Sequence, residues 1–195
     1  MPKLDADLLT HEEIDRLLRA CSKRAPSGRR NRALIALLWR GGLRLGEALA
    51  LMPKDVNLQE YTVVVQHGKG DKRRTVGIDL GTALLIDQWI VSRKKLKIGS
   101  RATLLCTLDG ERLDQSYVRH LLPRLATKVG IEKRVHAHGL RHRHAVDLIK
   151  EGADLLTVRD LLGHSSAATT QTYLSRIGAS DAVDFARRRE WTPAV

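Results

Sequence analysis

The residues whose types and spacing suit chemistry are gathered between His136 and Tyr173. His138 and Arg141 are three positions apart, His164 ends the tripeptide LGH, and Tyr173 follows nine positions later. On a helix, His138 and Arg141 share one face, so both can address the same group. Two histidines, an arginine and a tyrosine are side chains suited to attack on a phosphodiester.

A phosphodiester is a poor electrophile because its negative charge repels nucleophiles. Without a metal, fixed cations of the protein must offset that charge. Arginine suits this role because its planar guanidinium binds two phosphate oxygens and stays protonated. Arginines from two different elements can clamp the non-bridging oxygens and stabilise the transition state. Arg141 is one such residue, and the rest of the chain is expected to supply another cation.

Tyr173 is the candidate nucleophile. The ordinary pKa of a tyrosine is about 10, so a base or a nearby positive charge must help to remove its proton. Attack on DNA would leave a phosphotyrosyl ester, which keeps the energy of the broken bond and lets the strand be rejoined without ATP. The leaving 5′-oxygen needs a proton, and Lys69, at the tip of a predicted hairpin, is the candidate donor.

The composition favours a polyanionic partner. The 195 residues include 34 Lys and Arg against 22 Asp and Glu, a formal charge of +12, which points to nucleic acid first and an anionic membrane surface second. No apolar run approaches the ~18 residues of a membrane span, and no signal-peptide core follows Met1, so a cytoplasmic location is expected. Three tryptophans, three tyrosines and one phenylalanine are too few for a single-strand binder that stacks bases. Cys21 and Cys106 are predicted to be reduced core residues.

The first half of the chain predicts helices and one β-hairpin. Thr10 followed by Glu13 is typical of a capping box, which would start a helix that runs to about Cys21. The polar stretch Ser22 to Arg32 is predicted to be a loop. The runs YTVVVQ and RTVGI predict two strands joined by a cationic turn at 67–72. Further predicted elements are a buried helix over 33–39, helices over 43–52, 81–95 and 114–129, and a third strand over 103–106.

The second half of the chain predicts helices alone. One helix runs from His138 to Lys150, and a second, capped by Asp154, ends at Gly163. Ser165 or Ser166 would cap a third helix that contains Tyr173, and residues 181–190 form a last helix. The predicted fold class is mainly α with a small antiparallel β-sheet (α+β).

Four sequence motifs, taken in order, resemble those of the tyrosine recombinase (phage integrase) family, especially the catalytic domains of its Xer-type and integrase-type members. They are GLRLGEALAL at 42–51, GKGDKRR at 68–74, HGLRH at 138–142 and LLGHSSAATTQTY at 161–173. The resemblance covers about residues 8–187. It implies the catalytic set Arg44, Lys69, His138, Arg141, His164 and Tyr173.

The resemblance also implies a role for each of these residues. Arg44, Arg141 and His164 would contact the scissile phosphate. His138 would assist proton transfer from Tyr173 or orient it, and Lys69 would protonate the 5′-oxygen. Neither a metal nor another cofactor is expected. The implied partner is double-stranded DNA, bound by a homotetramer; a monomer in the absence of DNA and an accessory DNA-binding protein are left open.

The expected domain organisation is a lead over 1–9, a catalytic domain over 10–177 and a C-terminal helix or tail over 178–195. That last segment would pack on a neighbouring protomer or fold back on its own core. Family members usually carry an additional N-terminal helical domain that grips DNA. The chain would therefore be either an excised catalytic domain or similar to short stand-alone members such as the fimbrial invertases. The candidate DNA contacts outside the catalytic set are Arg29, Arg30, Lys72, Arg73 and Arg143.

Three other functions are weighed against this one. Residues 154–174 scan as a helix–turn–helix with Gly163 in the turn, which would suit a non-catalytic DNA-binding regulator. A type IB topoisomerase-like enzyme would share the same phosphoryl-transfer chemistry. A zinc site is the third alternative, but no cysteine or carboxylate completes its histidine cluster. That cluster consists of His136, His138, His142 and His144.

Overall fold

The computed structural model describes residues 8–66 and 73–163. Within those ranges it contains seven α-helices, one 3-10 turn at Pro53–Asp55 and a three-stranded sheet. The elements are α1 His11–Ala20, α2 Pro26–Trp39, α3 Leu45–Ala50, β1 Val56–Asn57, β2 Thr62–Val65, β3 Arg74–Gly77, α4 Leu80–Lys95, α5 Gln115–Lys128, α6 Ala137–Lys150 and α7 Leu155–Leu162. The predicted fold class is confirmed.

The helix starts show which local signals are reliable. Thr10 caps α1 as predicted: its hydroxyl accepts from the amide of Glu13 at 3.1 Å, and its own amide donates to the Glu13 carboxylate at 2.7 Å. The predicted loop from Ser22 to Arg32 is wrong beyond residue 25, because α2 begins at Pro26. Proline suits a first helical position, where its missing N–H has no intrahelical partner to lose. The Ser22 hydroxyl stabilises the short turn between α1 and α2 by accepting hydrogen bonds from the backbone amides of Arg24 and Ala25.

The sheet is antiparallel in the order β1-β2-β3. Val63 is paired with Val76, and Val65 with Arg74, which confirms that the two predicted strands pair; the predicted turn at 67–72 lies outside the described residues. The third strand predicted over 103–106 is wrong: the third strand is β1, and in that stretch Cys106 forms only an isolated bridge to Arg112. The segment is apolar because it is buried, and its carbonyls are satisfied by side chains. The Leu104 oxygen accepts from Trp89 Nε1 at 2.7 Å and from Arg93 Nη1 at 2.8 Å.

The core is organised around α2, which packs against both α4 and α6. Leu34, Ile35, Leu37 and Leu38 of this helix are completely buried. Cys21 and Cys106 are buried free thiols, as predicted. In the ranges that the structure describes, no helix is long and apolar enough to span a bilayer.

Helix α6 carries the HGLRH motif, and α7 ends where the last motif begins. His136 caps α6 by accepting the Gly139 amide at its Nδ1, at 3.0 Å. Asp154 caps α7 as predicted, and the helix ends at Gly163 in the left-handed conformation, φ 62°. The predicted helices containing Tyr173 and residues 181–190 lie outside the described residues.

Candidate active site

A buried carboxylate, Glu47, gathers three arginines from three separate elements. Arg44 is the N-cap of α3, Arg74 is the first residue of β3, and Arg141 lies on α6. Arg44 Nη1 is 2.8 Å from Glu47 Oε1. Arg74 binds both oxygens, Nη1 to Oε1 at 2.9 Å and Nη2 to Oε2 at 2.7 Å, and Arg141 Nη1 is 3.8 Å from Oε2. Elements distant in sequence are thus joined at one anion.

The ionisation of Glu47 follows from these contacts. Its side chain is only 5% exposed, and burial alone would raise its pKa. The hydrogen bonds from Arg74 and Arg44 outweigh burial and lower the pKa from 4.5 to about 2. Glu47 is therefore an anion at neutral pH, and its charge offsets the mutual repulsion of the arginines around it.

The same three arginines hold the C-terminal end of α7. The last carbonyls of a helix lack intrahelical partners and carry partial negative charge, so they attract cations. The bonds run from Arg44 Nη2 to the Gly163 oxygen at 2.8 Å, from Arg74 Nε to Leu161 at 3.2 Å and from Arg141 Nη2 to Leu162 at 2.5 Å. Gly163 directly precedes His164, so this cluster marks where the segment with the predicted nucleophile begins.

Arg141 is also tied to the first motif. Its side chain is only 3% exposed, and Nη1 donates to the backbone oxygen of Gly42 at 2.6 Å. Gly42 has a φ of 59°, and a Cβ there would lie 2.3 Å from His144 Cδ2. The position therefore requires glycine both for its backbone conformation and for the close approach of His144.

His138 lies beside these arginines in a neutral state. Burial, followed by the charges of Arg141 and Arg44, lowers its pKa below the ordinary 6.5. Its ring stacks on that of His136 at 6.3 Å and meets the edge of His142 at 6.5 Å. A neutral imidazole can accept a proton at physiological pH.

The histidine cluster does not converge on a metal. The Nδ1 atom of His136 accepts a hydrogen bond from the Gly139 amide at the cap of α6. His144 packs against Gly42, and burial, followed by the charge of Arg40, lowers its pKa to about 4. Among the described residues, no three His, Cys, Asp or Glu side chains are placed to hold a metal ion. The zinc alternative therefore has no geometric support in this part of the chain.

Three of the six predicted catalytic residues can be placed. Arg44, His138 and Arg141 come together at one site, although 97 positions separate the first from the last in the sequence. Lys69, His164 and Tyr173 lie outside the described residues. The site that the structure describes thus contains two arginines and one histidine of the predicted catalytic set.

One predicted DNA contact, Arg30, is not on the surface of the described structure. Arg30 is 4% exposed, and its guanidinium donates inward to the Tyr117 hydroxyl at 2.5 Å and to the Cys106 carbonyl at 3.1 Å. A basic sequence neighbourhood cannot distinguish such a core arginine from a surface one. Lys72 lies outside the described residues.

The other predicted DNA contacts differ in how firmly they are held. Arg73 is exposed. Arg29 donates to the Lys23 carbonyl at 2.9 Å and to the Ser92 hydroxyl at 3.1 Å. Arg143 is bound to the buried Asp147, with Nε 2.7 Å from Oδ1. Contact of these three arginines with DNA stays a prediction.

The sequence reasoning assigned Arg74 to a strand and gave it no role in the site. A usable signal existed in the alternation of side chains along β3. Val76 is buried, and Arg74, two positions earlier, lies on the same face of the strand. A charged residue on a buried strand face needs a partner, and that partner is Glu47.

Comparisons with known proteins give relatives over most of the chain. The model of the phage integrase family matches residues 7–177. Tyrosine recombinase XerC from Bacillus pumilus is 36% identical over an alignment of 181 residues that covers 89% of this chain and 59% of that protein. The chain thus spans less than two thirds of that relative's length.

Solved structures of recombinases are also similar to this chain. The crystal structure of XerA recombinase matches with a TM-score of 0.80 and 31% identity, over 94% of this chain and 66% of that one. A XerH site-specific recombinase in a post-cleavage complex with its palindromic difH substrate matches with a TM-score of 0.72 and 31% identity, over 86% of this chain and 48% of that one.

Proposed function

The chain belongs to the phage integrase family, and on that premise we propose that it is a site-specific recombinase that cuts and rejoins double-stranded DNA through a covalent 3′-phosphotyrosyl intermediate on Tyr173. The proposed partner is a duplex target bound by four copies of the chain. The XerH complex with its DNA substrate supports this choice of partner by similarity.

In the proposed step, the Tyr173 oxygen forms a bond to phosphorus as the bond from phosphorus to the 5′-oxygen breaks. The tyrosine proton passes to His138, and Lys69 gives a proton to the leaving 5′-oxygen. The products are a 3′-phosphotyrosyl ester and a free 5′-hydroxyl. Attack by the 5′-hydroxyl of another strand reverses the chemistry and completes the exchange, so no ATP or metal is needed.

The observation that carries this proposal is the convergence of Arg44 and Arg141 on Glu47, with the neutral His138 beside them. Two positive charges about 4 Å apart repel by roughly 4 kcal/mol at an effective dielectric constant of about 20. An anion fixed between them removes much of that cost before the substrate arrives. Arg44 and Arg141 are thereby held at one place, where two guanidinium groups can stabilise the charge of a phosphate transition state.

Arg44 and Arg141 differ in the exposure of their side chains in the absence of DNA. The Arg44 side chain is 30% exposed, whereas that of Arg141 is 3% exposed and bound to the end of α7. Contact of Arg141 with a phosphate therefore requires a rearrangement around its guanidinium. We expect DNA binding and assembly of the protomers to supply it.

Strand exchange between two labelled duplexes tests the proposal. The target can be obtained by selecting duplexes that this protein binds from a random-sequence library, and the reaction is run with EDTA and without ATP. Recombinant strands support the proposal. Binding without cleavage would favour a regulator, and relaxation of a supercoiled plasmid without exchange would favour a topoisomerase-like enzyme.

A further inference from the structure

Arg74 is fully engaged in the described site, and the proposed reaction gives it no task. All three of its guanidinium nitrogens donate: Nη1 and Nη2 to the two oxygens of Glu47, and Nε to the Leu161 carbonyl. Its side chain is 12% exposed. A bidentate arginine–carboxylate pair of this kind fixes the orientation of the two side chains as well as the distance between them.

The contacts of Arg74 join three parts of the chain that carry proposed catalytic residues. Arg74 begins the strand that follows the hairpin turn and stands five positions after Lys69. Its partner Glu47 binds both the side chain and the backbone amide of Arg44. Its other contact, on the last turn of α7, lies three positions before His164.

The end of α7 is shaped to admit this arginine. A Cβ on Gly163 would lie 3.1 Å from Arg74 Nη1 and 3.2 Å from its Cδ, so the glycine permits the guanidinium to pass against the helix end. The residue thus sits in a fitted position between β3, α3 and α7.

We infer that Arg74 is a positioning residue, which locks the returning strand of the hairpin, the Arg44–Glu47 pair and the end of α7 in one arrangement. It acts through Glu47 and the α7 carbonyls and does not itself bind the phosphate. This inference rests on the proposed function, because the arrangement matters for the rate only if these segments act on one phosphate.

The test separates positioning from binding and from folding. Arg74→Gln removes the charge, Arg74→Lys keeps the charge but loses the planar fork, and Arg19→Gln is a control with the same charge change at an exposed position on α1. Each variant is checked for folding by circular dichroism. The rate of a single cleavage at saturating nicked duplex is then measured separately from the dissociation constant for DNA.

We expect both Arg74 variants to bind the duplex within about two-fold of the unmodified protein and to cleave it roughly 100-fold more slowly, since small misplacements of reacting groups cost about that much. Rates equal to that of Arg19→Gln overturn the inference, as does a loss confined to affinity. Gly163→Ala offers a second route, because it crowds Arg74 and leaves its charge in place. Its control is Gly130→Ala, where φ is 66° and a Cβ meets nothing within 4 Å.

A measurement without DNA keeps this inference distinct from the proposed function. Hydrogen exchange of the last-turn amides of α7 should be at least about ten-fold faster in Arg74→Gln than in Arg19→Gln. Unchanged protection overturns the positioning role, whether or not the protein cleaves DNA. If the unmodified protein does not cleave DNA but Arg74→Gln loses this protection, the proposed function is contradicted. The positioning role of Arg74 is then still supported.

Discussion

Arg141 Nη1 donates to the backbone oxygen of Gly42 at 2.6 Å, across 99 positions of sequence. The bond ties α6, which bears HGLRH, to the turn that opens GLRLGEALAL. Because Gly42 also packs directly against His144, the turn has no room for a side chain. One backbone carbonyl thereby fixes the distance between two motifs of the proposed active site.

Gly42→Ala should therefore destabilise the protein more than loss of a left-handed glycine alone. A left-handed alanine costs about 1–2 kcal/mol, and the clash with His144 adds to it. Gly130→Ala is the control, since φ is 66° there and a Cβ meets nothing within 4 Å. Urea unfolding should give a loss for Gly42→Ala at least about 1 kcal/mol greater than that for the control. Equal losses of unfolding free energy in the two variants would contradict this prediction, because the turn would then accommodate the added methyl group without extra cost.

Glu47→Gln should remove a pH-dependent part of the stability. The pKa of Glu47 is lowered from 4.5 to about 2 in the folded protein. The carboxylate therefore contributes stability that is fully present above about pH 4.5 and is lost as the pH falls from 4.5 towards 2. The full linkage corresponds to about 3 kcal/mol.

Urea unfolding at several pH values checks this linkage. The difference in free energy of unfolding between the unmodified protein and Glu47→Gln should be largest above pH 5 and shrink by pH 3. The same comparison with Glu60→Gln, at an exposed position, controls for the change in net charge. A difference that stays constant from pH 7 to 3 would contradict the assignment of Glu47 as the buried counter-charge.

His138 should set an acid limb in the pH profile of DNA cleavage. The neutral ring is the form that accepts a proton, and its pKa is lowered below 6.5 by burial and by Arg141 and Arg44. Cleavage that depends on the neutral ring should thus stay constant from about pH 8 to 6.5 and fall only at lower pH. His138→Gln should slow cleavage by roughly 10²–10⁴-fold and lose that limb. A limb with its midpoint above pH 6.5, or one retained in the variant, would contradict the role.

Local signals in the sequence were enough for much of the fold. The capping residues Thr10 and Asp154 and the β-branched run at β2 predicted elements that the structure contains. The motifs identified Arg44, His138 and Arg141, which the structure brings together. Each of these signals lies within a few positions of the residue that it describes.

The errors arose where distant packing decides the outcome. Buried carbonyls at 103–106 are satisfied by Trp89 and Arg93, which no pattern within that segment records. Arg30 belongs to the same basic stretch as the exposed Lys23 and Arg24, yet its guanidinium bonds to Tyr117 in the core. Alternation along β3 indicates that Arg74 needs a partner, but only the structure identifies that partner as Glu47, 27 positions away.

The central claim is that Tyr173 becomes covalently joined to DNA. A duplex selected by this protein, nicked close to the cleavage position so that the released fragment diffuses away, should trap the intermediate. In EDTA, the unmodified protein should give a complex that survives SDS and is removed by protease, and mass spectrometry should place a DNA 3′-phosphate on Tyr173. Tyr173→Phe should bind the duplex and give no such complex. An adduct that persists in Tyr173→Phe, or its absence from unmodified protein bound to the duplex, would contradict the account.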